Sequence, residues 1–306
     1  MIHVGSCSWT EKSLIKSREF YPQGVSTAEA RLRYYAGMFD VVEVDSSYYA
    51  IPAERTILQW VERTPHDFIF HIKAYTLLTG HSAELGSVPP GVRDLLPSES
   101  LRKNRITVKE REPLEEAFRL FRNAFRPLAE AGKMGIVVFQ YPPFFAYSFQ
   151  SLDYILLCRE LMKDFRIGVE FRHGSWLAPG RVESAFSFLR EHGIGYIAAD
   201  EPQYNNLSTV PFVHGATTDI AYFRLHGRNR ENWFKRGGET SLRYDYFYSD
   251  KELKEFLTPV LTEAKRTRET YVMFNNCHLG NSMKNALRLR EMLNAERAKD
   301  TACDAR

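Results

Sequence analysis

The chain has 306 residues, of which 44% are hydrophobic and 26% charged, and its 41 Lys and Arg exceed its 38 Asp and Glu for a formal charge of +3. That balance excludes an intrinsically disordered chain, and it announces no polyanion-binding protein, although a local basic patch counts for more than the total. The length suits one large domain or two modest ones, and aromatic residues are abundant at 13%.

The first residues, Met1-Ile2-His3-Val4-Gly5, form no basic-then-apolar leader, and no run of 18 apolar residues follows. Cys7, Cys158, Cys277 and Cys303 show neither C-x-x-C pairing nor zinc spacing. These features lead us to expect a reduced cytoplasmic protein without a membrane segment. Short β-rich runs then alternate with amphipathic helical stretches. Strands are predicted over 2–6, 41–45, 68–73, 135–140, 167–171, 195–199, 221–226 and 271–275. Helices are predicted over 27–38, 53–63, 114–131, 152–163, 181–191, 251–265 and 282–298. Only the stretch after the sixth strand, around 201–211, lacks a clear helix. Ser26 and Thr27 are candidate N-caps for the first helix.

Eight strand–helix units over this length predict an α/β fold, a single (β/α)8 TIM-like barrel over 1–298, with 299–306 a flexible tail. An open doubly wound sheet is the competitor. It usually carries a Gly-rich phosphate turn after its first strand, and Gly5-Ser6-Cys7-Ser8-Trp9 is no such fingerprint. Two long loops, 74–113 and 227–250, follow the third and seventh strands, on the face where barrel enzymes keep their active sites.

Position carries the functional signal. The apolar strands end again and again in polar residues: Glu43 and Asp45, His71 and Lys73, Gln140, Glu170 and Arg172 with His173, Asp200, Arg224 and His226, Asn275 and Asn276. Period-two alternation puts His71 with Lys73, Glu170 with Arg172, and Arg224 with His226 on shared faces. Burying so many charges is costly unless they pair, hydrogen-bond or meet a ligand. Each residue alone has a structural reading, such as an internal ion pair or a capped turn. Together they predict a ligand-binding mouth. Trp9, Tyr48 and Trp176 fall just past strand ends and are candidate binding residues.

The basic, aromatic-interleaved stretch holding Arg224, His226, Arg228, Arg230, Trp233, Phe234, Lys235 and Arg236 suits an anionic ligand. The start of the last helix, after Asn275 and Asn276, suits a phosphate group. We therefore expect a hydrolase acting on a phosphate-bearing substrate such as a nucleic acid or nucleotide. Glu170, Lys73, His226 and Asp200 are the candidate catalytic residues, with Glu170 as general acid or base. Glu43, Asp45, Gln140, Arg172, Arg224, Arg228, Asn275 and Asn276 are the candidate binding residues. A divalent metal on His71, Glu170, Asp200 and His226 is conceivable but not favoured, because Lys73, Arg172 and Arg224 would already neutralise the carboxylates. Cys7 and Cys277 follow neighbouring strands of a closed barrel and read as reduced thiols. Two other functions stay open: a sugar isomerase or glycosidase using Glu170 with Asp200, and a non-catalytic nucleic-acid-binding protein using 102–105 and 228–236. The partner implied is an anionic small molecule or nucleic acid, with no membrane and no protein partner.

Several motifs in order resemble the domain-of-unknown-function seventy-two family, also called YecE-like, over about 2–293. They are Gly5-Ser6-Cys7-Ser8-Trp9, Phe20-Tyr21-Pro22, Val42-Glu43-Val44-Asp45-Ser46-Ser47-Tyr48-Tyr49 with Pro52, and Phe70-His71-Ile72-Lys73-Ala74. Phe139-Gln140-Tyr141-Pro142-Pro143, Glu170-Phe171-Arg172-His173 with Trp176, Arg224-Leu225-His226-Gly227-Arg228 and Phe274-Asn275-Asn276 complete the set. The resemblance implies a TIM-like barrel and no settled reaction. It implies a polar set of Glu43, Lys73, Gln140, Glu170, Arg172, Asp200, Arg224, His226 and Asn276. This chain departs from the family at Asp45, where Asn is commoner, at Ser8, where Gly is frequent, and at Thr79-Gly80-His81, which carries an extra residue inside a Thr-His pattern.

Overall fold

The computed structural model describes residues 1–204, 206–235 and 240–304. In chain order it runs β1 Ile2–Ser6, α1 Lys12–Ser17, α2 Ala28–Met38, β2 Val41–Val44, α3 Glu54–Glu62, β3 Ile69–Lys73, β4 Ala83–Glu84, α4 Pro90–Arg93, β5 Arg105–Ile106 and α5 Arg111–Glu130. It continues with β6 Met134–Gln140, α6 Phe149–Leu161, β7 Arg166–Glu170, α7 Val182–Glu191, β8 Gly195–Asp200, β9 Ile220–Leu225, α8 Asp250–Glu255, α9 Leu257–Ala264, β10 Glu269–Phe274 and α10 Asn281–Asp304. Eight of the strands close into a barrel in the order β1-β10-β9-β8-β7-β6-β3-β2. The α/β TIM-like barrel expected from the sequence is the fold observed.

Parallel barrel strands are covered on both faces, so they read as continuous apolar runs. Val41, Val42 and Val44 in β2, and Ile167 and Val169 in β7, are buried accordingly. Thr27 caps α2 by accepting from the Ala30 amide at 3.0 Å. On α5, Phe118, Phe121 and Phe125 form a buried stripe at helical spacing. The predicted helix over 251–265 is broken: α8 ends at Glu255, Phe256 caps it, and α9 begins at Leu257. The last helix continues to Asp304, past the predicted end at 298, and Ala305 and Arg306 lie outside the described residues.

Two compact units make up the chain. One comprises Met1–Val42, Tyr196–Tyr204 and Pro211–Arg306, and the other Glu43–Gly195 and Asn205–Val210. The first unit holds the parallel ladders of β10 with β1 and β9, and of β8 with β9. The second holds those of β6 with β3 and β7. It also holds the long connection after β3, which contains a 3₁₀ turn Thr76–Thr79, the antiparallel hairpin of β4 with β5, and α4. The β3–β6 ladder shifts register between Phe70 and Ile72. There the buried His71 ring replaces a backbone acceptor, its Nδ1 taking the Ile136 amide at 3.0 Å. Gly135 makes room for it: a Cβ at that position would lie 2.3 Å from His71 Nδ1.

Candidate functional site

The carboxyl ends of β3, β6 and β7 assemble a charged cluster within the second unit. The β6–β7 register sets Gln140 directly opposite Glu170. Side chains at matched positions of a parallel ladder point the same way, and the Gln140 amide donates to Glu170 Oε1 at 2.6 Å. Arg172, two residues further and so on the same face, places Nη1 3.1 Å from that same oxygen. Glu43 and Glu170 are fully buried, and Lys73 and Arg172 nearly so. On the neighbouring strand end, Lys73 Nζ lies 3.5 Å from Asp45 Oδ1 and 4.9 Å from the centre of the Tyr48 ring. Asp45 and Tyr48 open and close a 3₁₀ turn directly after β2. The Ser47 hydroxyl fixes that turn, 2.7 Å from Val44 O and 2.6 Å from Lys73 O.

A further residue joins these. His81 follows the 3₁₀ turn Thr76–Thr79, where Gly80 adopts the left-handed conformation (φ 75°) that only glycine takes without strain. The Thr79 hydroxyl donates to Thr76 O at 3.1 Å and lies 2.8 Å from His81 Nδ1. Tyr48 and Phe144 flank the imidazole edge-on, with ring centres 5.4 Å and 6.5 Å away. Burial lowers the His81 pKa, the charges of Lys73 and Arg172 lower it further, and it is pushed down to about 4. His81 was set aside from the predicted residues because Thr79-Gly80-His81 carries an extra residue inside the family's Thr-His pattern. Its only signal was the unusual Thr79-Gly80-His81 spacing.

The first unit gathers its own strand-end residues, and there the charges satisfy one another. Asp200, at the end of β8, receives Arg228 Nε at 3.1 Å and 3.0 Å and Arg228 Nη2 at 2.9 Å. The Tyr248 hydroxyl donates to Asp200 Oδ2 at 2.6 Å and accepts from the Gly227 amide at 2.8 Å. Arg228 also reaches Glu255 at 2.9 Å and Glu252 at 3.8 Å. Burial works against the Arg228 charge, but its bonds to Asp200 outweigh that and hold the guanidinium above its ordinary pKa. Burial and the Asp200 carboxylate keep the Tyr248 phenol protonated. Asp200 and Arg228 therefore anchor the 227–250 loop. Gly227 (φ 89°) is part of this closure, because a Cβ there would lie 2.6 Å from Tyr246 Cβ.

The remaining predicted residues of that unit are also set in polar contacts. His226 Nδ1 lies 2.9 Å from the Asn275 amide nitrogen. The Asn276 amide donates to Tyr246 O and to Asn285 Oδ1, both at 2.8 Å, and Asn285 in turn holds Tyr248 O. Arg224 is fully buried, with Nη2 3.8 Å from Cys7 Sγ. Cys7 and Cys277 are buried and take part in no disulfide. At the start of α10, the Leu279 amide already donates to Ser13 and Ser282 accepts from Ser6.

Trp9 and Trp176 are buried. Trp176 is stacked on Phe171 at 4.1 Å and Phe145 at 5.8 Å, and its indole N–H donates to Phe145 O at 2.7 Å. It forms a floor of rings beneath the Glu170–Arg172 segment. Arg102 and Lys103 are exposed beside the β4–β5 hairpin, Arg230 lies over the Tyr204 ring at 5.1 Å, and Arg236 lies outside the described residues. Among the described residues, no three His, Cys, Asp or Glu side chains gather as metal ligands would, and no helix is long and apolar enough to cross a membrane.

A family model described as "Protein of unknown function DUF72" matches residues 3–305. The UPF0759 protein YunF of Bacillus subtilis is 29% identical over 299 residues, covering 97% of this chain and 96% of the relative. The UPF0759 protein YecE of Escherichia coli O157:H7 is 25% identical over 202 residues, covering 65% of this chain and 59% of the relative. Among solved structures, a DUF72 family protein from Thermotoga maritima is similar with a TM-score of 0.74 and 32% identity, over 96% of this chain and 99% of that one. Another, from Enterococcus faecalis V583, gives a TM-score of 0.76 and 27% identity over 96% of both chains.

Proposed function

This chain belongs to the DUF72 family, and from that premise we propose that it hydrolyses a phosphate-bearing substrate at the carboxyl ends of β3, β6 and β7. The observation that carries the reading is a pair of nearly buried cations at the strand ends, Arg172 at 3.1 Å from Glu170 and Lys73 at 4.9 Å from the centre of the Tyr48 ring, which itself lies edge-on to His81. Both cations are nearly buried and each already meets a carboxylate, so a bound anion would share Lys73 with Asp45 and Arg172 with Glu170. Arg172 presents a planar fork suited to phosphate oxygens, and Lys73 a point charge that follows the charge as it develops in the transition state. Glu170 acts through Arg172: its Oε1 accepts from both Gln140 and Arg172 and holds the guanidinium in place. It is a positioning residue for the anion. Asp45 does the same for Lys73.

Calorimetric titration with inorganic phosphate at low ionic strength tests this reading. We expect binding by the wild-type protein and an affinity about tenfold or more weaker in Arg172→Gln, a loss of roughly 1.4 kcal/mol. Glu170→Gln should weaken binding less, by leaving the guanidinium less firmly oriented. Equal affinity in wild type and a folded Arg172→Gln protein would rule the site out.

A further inference from the structure

We propose that His81 is the catalytic base of this site, taking the proton of the attacking water on Nε2 once an anion is seated against Lys73 and Arg172. This inference rests on the reading of Lys73 and Arg172 as the anion holders and adds the group that activates water.

The tautomer follows from counting hydrogens. A threonine hydroxyl has one hydrogen to give. With the Thr79 hydrogen given to Thr76 O, Nδ1 is the donor in the 2.8 Å contact between His81 Nδ1 and Thr79 Oγ1, and this is the tautomer the proposal takes. In a neutral imidazole the proton on Nδ1 leaves a lone pair on Nε2. Nε2 makes no hydrogen bond among the described residues. The base thus has its orienting partner already in place: Thr79 is fixed by its own turn and holds the ring, as the third member of a nucleophile–base pair does. Tyr48 and Phe144 flank the ring and limit how it can swing, and Phe144 is itself 73% exposed.

Charge supplies the control. Thr79 from its own turn and the rings of Tyr48 and Phe144 touch His81, and the charges that act on it are those of Lys73 at the end of β3 and Arg172 beyond β7. Asp45 and Glu170 stand behind the two cations as their ion-pair partners. With the site empty, burial and the two cations keep the imidazole neutral but too weak a base to hold a proton near neutral pH. A phosphate dianion seated on Lys73 and Arg172 offsets their charge and adds its own, which raises the basicity of Nε2 in the substrate complex alone. The step balances as follows in atoms and electrons. A water O–H bond breaks and its proton goes to Nε2, the water oxygen forms a bond to phosphorus, and the bond from phosphorus to the leaving oxygen breaks with its electron pair on that oxygen. The imidazolium then returns the proton to the leaving oxygen or to solvent.

The experiment is an imidazole nitrogen-15 NMR titration of the wild-type protein, with and without saturating inorganic phosphate. His81→Gln assigns the signal by its disappearance, and calorimetry on the same samples reports phosphate binding. We expect His81 as the Nδ1–H tautomer, titrating well below a free histidine, with its midpoint moved up by about one pH unit or more when phosphate binds. In Lys73→Gln the midpoint without phosphate should already be raised. An Nε2–H tautomer overturns the inference whatever phosphate does. Bound phosphate with an unmoved His81 midpoint overturns it while sparing the anion site. Failure of phosphate to bind removes the anion site, and the inference falls with it.

Discussion

His3 sits at the amino end of β1 with Nδ1 2.5 Å from Asp40 and Nε2 2.9 Å from Glu269, its ring stacked on Tyr271 at 5.0 Å. Burial lowers its pKa, but the hydrogen bonds and charges of the two carboxylates outweigh burial, and the net shift is upward from 6.5. A histidine with a raised folded pKa stabilises the fold fully below its unfolded value and loses that contribution as pH rises through the folded one. We therefore predict that urea denaturation shows wild-type stability falling relative to His3→Gln as pH is taken from about 6 to 9. Parallel pH profiles for the two proteins would contradict it. At this scale the second-unit cluster was largely legible. Period-two alternation alone set Glu170 beside Arg172, and the ladder then set Gln140 against Glu170. His81 was legible only through the family's Thr-His pattern, because a loop turn carries it beside Tyr48 and no periodicity reports on a loop.

The 227–250 loop shows what an element can hide. In sequence, Asp200 looks like a strand-end acid and Arg228 like an anion-binding cation. In the fold, the loop turns back at Gly227 and brings Arg228 and Tyr248 onto Asp200, so acid and base consume each other. That return is a tertiary event with no local signature. Asp200 is 3% exposed, so removing Arg228 leaves a buried carboxylate with no countercharge from that side chain and the Tyr248 hydroxyl still donating to it. Arg228→Met should cost about 3 kcal/mol of stability. The double variant Asp200→Asn with Arg228→Met should recover part of that loss, and additive losses in equilibrium denaturation would show that the two side chains do not act as a pair. The connection after β3 was read only as a long loop, because its strands are two residues each and its helix four, too short for any period to show. The break at Phe256 escaped for a similar reason: the apolar pattern runs through it.

For the whole molecule, the alternation of strands and helices was the legible feature. All eight barrel strands were found within two residues of their observed ends, because each is an apolar run bounded by polar or turn residues. The near-neutral total charge also acquires a physical meaning. Acids and bases at the strand ends are matched in place: Glu170 with Arg172 and Asp45 with Lys73 in one unit, Asp200 with Arg228 in the other. Composition could not tell such pairs from a solvated surface, nor could it separate the two compact units. What sets the second-unit cluster apart is a histidine beside Tyr48 whose pKa burial and the charges of Lys73 and Arg172 lower. The most direct measurement of that account is the initial rate of p-nitrophenyl phosphate and bis-p-nitrophenyl phosphate hydrolysis near pH 7, by wild type and by Arg172→Gln. The account predicts p-nitrophenol release by the wild type and a rate on the order of 100-fold lower in the variant. Equal rates in the two folded proteins, or no release from either ester by a wild-type protein that binds phosphate, would contradict it.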